Sequence, residues 1–245
     1  MFVQPGIVSV VDEAQRSTRT RPAKAALSRD AVIEAALWVL KREGIEGLSM
    51  RRIAQRLDTG AASLYVYVAN RDELYSLVFE RIASEIELPA ANPKKWREQI
   101  KQIANEMLRV LGEYPGSSRM TMAHVPTGPN AMRLAEAILG LLRAGGVSDA
   151  AAAYAMDLLS LYITSIAYEE SIRSGGGGAK NSAEGYPEHK AELDAAFGSL
   201  DAQRYPNITE LAPAMTVGDG PQRFEWGLDI IINGLLATPQ PGASN

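Results

Sequence analysis

The chain has 245 residues, of which 46% are hydrophobic and 22% charged, a globular composition with ample material for one or two packed cores. It contains no cysteine, which excludes a disulfide framework and thiolate chemistry and fits a reducing cytoplasm. The net charge of −4 argues against a general polyanion binder, yet residues 16–71 carry +6, residues 72–245 carry −8 and residues 1–15 add −2. That asymmetry describes a small basic module on a larger acidic body. The module neutralises phosphates while the body stays clear of them. No apolar run is expected to reach the ~20 residues of a membrane span, so no membrane partner is expected. The stretch "MFVQPGIVSVVDEAQ" lacks a basic n-region and is not read as a signal peptide. Residues 1–26 are read as a flexible basic arm, in which Arg16, Arg19, Arg21 and Lys24 lie along DNA or remain in solvent.

In "LSRDAVIEAALWVLKREG", Ser28 is an N-cap, Ile33, Leu37 and Leu40 form one face, and Gly44 stands at the C-cap. "LSMRRIAQRLD" restarts at Ser49 with Ile53, Ala54 and Leu57 as the inner stripe. A break follows at Asp58-Thr59-Gly60. After it, "SLYVYVAN" alternates as a strand does, but the chain offers no second strand to pair with it. Helical spacing also works, because Leu64 and Val68 lie four apart. The unfavourable helix propensities cost at most roughly 0.5 kcal/mol per residue, which packing can offset. Tyr65, Val66 and Tyr67 then lie on the other sides and want a partner surface. Asn70 with Glu73 forms a capping-box start, and the next helix carries Leu74, Leu77, Val78 and Ile82 to about residue 87. Two helices joined by a short turn are a helix-turn-helix candidate, whose second helix enters a DNA major groove.

Residues 89–93 read as a short linker. Helices are expected at 94–113, 117–124, 129–144, 148–173, 187–198 and 221–236. The glycine run 175–178 lacks the order of a phosphate-binding loop and reads as an ordinary loop. No nucleophile elbow, metal-spaced histidine pair or phosphate loop is present, so no catalytic residue and no enzymatic activity are expected.

The run "GIEGLSMRRIAQRLDTGAASLYVYVANRDELYSLV" resembles the DNA-binding domain of TetR-type transcriptional regulators over about residues 27–87. Its most specific part is Leu64, Tyr65, Val68, Asn70, Glu73 and Leu74. Asp58 departs from the pattern, since the family usually carries glycine there. Aspartate tolerates a left-handed backbone better than most residues, so the turn is expected to survive. The resemblance implies an all-α protein, with a three-helix helix-turn-helix domain at 27–87 and a larger helical ligand-binding and dimerisation domain at 94–245. It implies that Gly60 to Tyr67 form the recognition helix, with Ala61, Ala62, Val66 and Tyr67 facing base edges. Ser63, Tyr65 and Arg71 would hold phosphates, and Arg51 would reach bases or backbone. Arg52 and Arg56 are left open between DNA contact and solvated surface.

"PQRFEWGLDIIINGLLA" carries the stripe Phe224, Leu228, Ile231 and Leu235, with Gly227 and Gly234 as small spots. It resembles the last helix of tetracycline-repressor-like members, which packs with helix 148–173 in a homodimer. The resemblance further implies a small-molecule effector of unknown identity, no obligatory cofactor, and a pocket near Met107, Met120, His124, Thr127, Met156, Tyr162 and Glu169. Each methionine also reads as ordinary core. His124 and Glu169 stand near a metal-ligating histidine and an acidic residue of tetracycline repressors, but no metal is assigned, because His189 is the only other histidine. The expected function is a sequence-specific regulator acting on double-stranded operator DNA, a repressor released by its ligand. The alternative is a ligand-sequestering protein with weakened DNA binding, for which Asp58 leaves room.

Overall fold

The computed structural model of the chain describes residues 27–123, 126–173 and 182–238. The expected arm at 1–26, the glycine run, His124 and the side chain of His189 lie outside the described residues. All regular structure among the described residues is helical, as expected.

Helix α1 (Arg29–Gly47) starts where Ser28 Oγ accepts the Ala31 N–H at 3.1 Å. Its inner face buries Val32, Ile33, Ala36, Leu37 and Leu40. Gly44, at φ 66° and ψ −175°, ends the regular run in a backbone region that a Cβ disfavours, so the expected stop falls where it should. Ile45 then turns inward and its N–H donates to the Pro115 carbonyl. Helix α2 (Met50–Arg56) is capped by Ser49 Oγ at the Arg52 N–H, 3.3 Å away. The strand-like stretch is no strand, but the helix is shorter than the expected 60–67: α3 (Ala61–Leu64) ends within it, and turns follow in which the Tyr67 and Val68 N–H groups donate to the Leu64 carbonyl. Leu64 and Val68 are completely buried in one core with Ile53, Leu74 and Val78. Helix α4 (Arg71–Ser84) packs on α1 and also on the body helices α6 (Ser118–Ala123) and α7 (Pro129–Ala144).

The segment read as a linker is pinned. Gln99, buried in α5 (Trp96–Gly112), accepts the Asn92 N–H at 2.7 Å and donates to the Ala90 carbonyl at 2.6 Å. A 3-10 turn at Pro93–Lys95 leads into α5. Helix α8 (Asp149–Arg173) is the body's centre and packs against α5, α6, α7, α9 (Ser182–Gly198) and α11 (Gly220–Ala237). It corrects the expectation about apolar runs. Over 25 residues it is long and apolar enough to cross a membrane, with an 18-residue window of mean hydropathy 1.4. In this fold it is a core helix, and Ala152, Ala155, Leu159, Ile163 and Ala167 are buried between its neighbours. A further helix, α10 (Pro206–Met215), was not expected. Its two prolines read as breakers, but Pro206 sits in the first turn, where its missing N–H costs nothing.

Candidate nucleic-acid interface

The turn between α2 and α3 forms a Schellman closure. The Thr59 N–H donates to the Ala54 carbonyl at 2.9 Å and the Asp58 N–H to the Gln55 carbonyl at 3.2 Å. This closure requires a left-handed residue at position 58. Asp58 supplies it at φ 51°, the one non-glycine residue with positive φ among those described. The turn survives the departure from glycine, so Asp58 no longer favours the sequestering alternative.

On the far side of the turn the chain presents a small convex surface. Val66 is 81% exposed and Tyr65 53%, while Leu64 and Val68 between and beside them are buried. Gly60, Ala62 and Ser63 are exposed, and Ala61 and Tyr67 are half-buried. In the five-residue stretch 64–68, Tyr65 and Val66 thus face solvent with large side chains while Leu64 and Val68 at its ends anchor them. Apolar groups of this size suit thymine methyls, and Ser63 and the Tyr65 hydroxyl suit phosphate oxygens.

The arginines separate by their partners. Arg51 is exposed, with no ion pair among the described residues. Arg52 donates to Glu43 at 2.8 and 2.5 Å and to the side-chain Oε1 of Gln55 at 2.9 Å. The Arg52 guanidinium holds the Glu43 carboxyl below its ordinary value. Arg56 and Arg42 each lie 4.7 Å from the Trp38 ring centroid. Arg71 donates to the Tyr75 hydroxyl at 2.7 Å. Of the two arginines left open, Arg52 is structurally engaged with a carboxylate and Arg56 with an aromatic face.

The start of α4 fixes this surface to the rest of the molecule. Asn70 Oδ1 accepts the Glu73 N–H at 2.8 Å, and Glu73 Oε2 accepts the Ala69 N–H at 2.7 Å. Glu73 Oε1 also pairs with Arg29 of α1 at 2.5 Å. One carboxylate therefore ties the reading segment, α4 and α1 together.

Of the seven residues expected around a ligand, the described ones fall in different places. Met120 and Thr127 line a cavity of about 350 Å³ between α4 and the α6–α7 connection, with Tyr75, Phe79 and Glu80. Glu169 lines another, of about 250 Å³, with Lys190, Met215 and Arg223. It pairs with Arg173 at 2.5 Å. Met107 and Met156 pack partly buried against the core. The Tyr162 hydroxyl lies 3.2 Å from the Arg223 and Phe224 carbonyls, and burial pushes its pKa up.

Sequence reasoning missed Glu80 and Arg133. Glu80, on α4, accepts the Asn130 and Ala131 N–H groups of α7, and Arg133 donates to carbonyls at the end of α4. A signal was present, since "TGPN" starts α7 with no side chain able to cap it.

A helix-turn-helix with an exposed second helix, fixed to a larger helical body through one shared helix, defines a DNA-binding transcriptional regulator. Residues 32–78 match the model of bacterial regulatory proteins of the tetR family, and residues 88–238 match the tetracyclin repressor-like C-terminal domain. The chain is 32% identical over 221 residues to the transcriptional repressor DrrR1 of Streptomyces coeruleorubidus, covering 88% of this chain and 80% of DrrR1. It is 28% identical over 215 residues to the class D tetracycline repressor of Escherichia coli, covering 86% and 89%. ActR of Streptomyces coelicolor in complex with actinorhodin superposes with a TM-score of 0.77 at 41% identity, covering 90% of this chain and 100% of that one. The chain belongs to the tetR family of bacterial regulatory proteins, and it is a DNA-binding regulator of transcription.

Proposed function

We propose that the chain works in the cytoplasm as a homodimeric repressor that reads operator DNA with residues 60–67 and leaves it when a small organic molecule binds the body. The observation that carries the DNA half is the exposed pair Tyr65 and Val66, held between buried Leu64 and Val68. Ala61, Ala62, Val66 and Tyr67 face base edges from the segment that Gly60 opens, Arg51 reaches bases or backbone, and Ser63, Tyr65 and Arg71 hold phosphates. Domain limits of 27–87 and 94–245 suit this division, with α4 as the shared element.

The dimer is supported by an apolar face on two adjacent helices. Tyr154, Leu158 and Leu161 of α8 and Trp226 and Ile230 of α11 are all about half or more exposed, at intervals that keep each set on one side of its helix. A second copy of the same face covers both, and two-fold symmetry sets the two reading surfaces one helical turn of DNA apart.

Met120 and Thr127 are retained as effector contacts because they line a cavity against α4; Met107, His124, Met156, Tyr162 and Glu169 remain candidates of the family pattern. Actinorhodin, which ActR binds, is the first effector to try. The test is a mobility shift with duplex from the intergenic DNA beside the protein's own gene, with and without actinorhodin. Retardation of that duplex and not of a scrambled one, reversed by the compound, is the expected result. Retardation of neither duplex contradicts the DNA assignment.

A further inference from the structure

Helix α7 begins without a cap of its own. Gly128 offers no side chain and Pro129 no N–H, so the Asn130 and Ala131 N–H groups are orphan donors. A carboxylate from another helix takes both. Glu80 Oε2 accepts the Asn130 N–H at 2.8 Å and Glu80 Oε1 accepts the Ala131 N–H at 3.0 Å. The reverse arrangement holds at the end of α4. Arg133 Nη2, from the second turn of α7, donates to the Ala83 carbonyl at 3.1 Å and the Ile86 carbonyl at 2.9 Å. Asn130 Nδ2 adds a contact to the Glu80 carbonyl at 3.3 Å. Each helix supplies the other's cap, and each charge has the sign that the helix dipole at that end favours. Gly128 belongs to the same device, because a Cβ there would overlap the Glu80 carboxyl group.

We propose that Glu80, Arg133 and Gly128 form a two-ended lock that makes α4 and α7 move as one body, so that a shift of α7 is delivered to the reading surface. The proposal rests on the reading of the chain as a ligand-responsive DNA-binding regulator. Sliding or rotating α7 against α4 breaks four charge-assisted hydrogen bonds at once. The ties between α1 and the body are the single bond from the Ile45 N–H to the Pro115 carbonyl and exposed pairs such as Lys41–Glu113 and Arg119–Glu46, of which the exposed pairs constrain far less. At its opposite end α4 carries Asn70, Arg71 and Glu73, which set the reading segment. Glu80 and Arg133 are positioning residues in this proposal; Glu80 also borders the cavity of Met120 and Thr127, with its carboxylate committed to the start of α7.

Hydrogen exchange on the full-length protein tests it, using Gly128→Ala, Arg133→Met, Glu80→Ala and the double variant of Glu80 and Gly128. Gly128→Ala keeps every charged group and only expels the carboxylate. It should speed exchange of the Asn130 and Ala131 amides by about tenfold or more, the equivalent of losing a charged hydrogen bond. The distinguishing result is reciprocity. Gly128→Ala should also speed the Glu85 and Ile86 amides at the end of α4, and Arg133→Met should speed those of Asn130 and Ala131. Adding Gly128→Ala to Glu80→Ala should change nothing further. Variants that each disturb only their own end, or additive effects in the double variant, overturn the lock. Binding of the intergenic duplex should slow the Asn130 and Ala131 amides in the native protein and not in Gly128→Ala. No slowing in native protein that demonstrably holds the duplex also overturns it. Failure of the native protein to retard any duplex refutes the regulator reading instead, and the reciprocity result in the free protein still decides the lock.

Discussion

Tyr162 of α8 occupies the space that Gly227 of α11 leaves empty. Its ring stacks on Phe224, with centroids 5.5 Å apart and planes 8° from parallel, and a Cβ on Gly227 would overlap its hydroxyl. Seven residues on, Gly234 has nothing within 4 Å of the place a Cβ would take. The two glycines, alike in the sequence, have different reasons to be small: one admits a neighbour in the same chain, and the other opens outward. Gly227→Val should destabilise the subunit by about 1–3 kcal/mol through overpacking, seen in thermal unfolding. Gly234→Trp should leave the fold intact and shift light scattering from dimer toward monomer. A native protein that scatters as a monomer contradicts the dimer.

Arg51 and Arg52 are adjacent, yet among the described residues only Arg52 is committed to a carboxylate. Arg51→Ala should weaken operator binding and flatten the log–log salt dependence by about one unit. Arg52→Ala should change that slope little and act mainly on stability. Tyr65→Phe should lower affinity without changing the melting temperature. Fluorescence anisotropy at a series of salt concentrations distinguishes these outcomes.

Asp58 holds the left-handed position that closes the turn after α2. Glycine adopts that backbone freely, whereas a β-branched residue pays about 1–2 kcal/mol. Asp58→Gly should therefore keep or raise thermal stability. Asp58→Val should lower it and, by loosening the turn, lower operator affinity as well. Equal melting temperatures for the two variants would refute the strain argument.

Lys101 of α5 joins α11 by bonds of 2.9 Å to both Glu225 and Asp229. The Lys101 ammonium, aided by the Asn105 amide, holds the Glu225 carboxyl below its ordinary 4.5. A depressed carboxylate contributes stability above its unfolded pKa and loses it as pH falls through the folded value. Because the pair is partly exposed, the contribution is at most about 1 kcal/mol. Lys101→Met should remove it at neutral pH and make the acid limb of a pH–stability curve shallower below about pH 5. An unchanged acid limb would show that the pair contributes nothing.

Local chemistry made the head legible. Ser28, Gly44, Ser49, Asn70 and Glu73 each act within a few residues of themselves, and each does what its type implies. That residues 63–68 are helix and turns and not a strand followed from the missing strand partner, although propensity pointed the other way. What stayed hidden depends on residues distant in sequence. The partners of Glu80 lie 50 and 51 positions away, and those of Lys101 lie more than 120 away. The scatter of the expected pocket residues has the same origin. Spacing places a methionine on a helix face, but helix packing decides which face meets a cavity. Helix α10 was missed because a proline in the first turn and one in the last read as breaks when the turns around them are unknown.

The most direct test of the whole account is titration of the full-length protein against the intergenic duplex and against a scrambled duplex of the same length and composition. The expected result is one dimer per specific duplex, bound about a thousandfold or more tighter than the scrambled one at physiological salt. Equal affinity for the two duplexes, or binding by a single subunit, would contradict it.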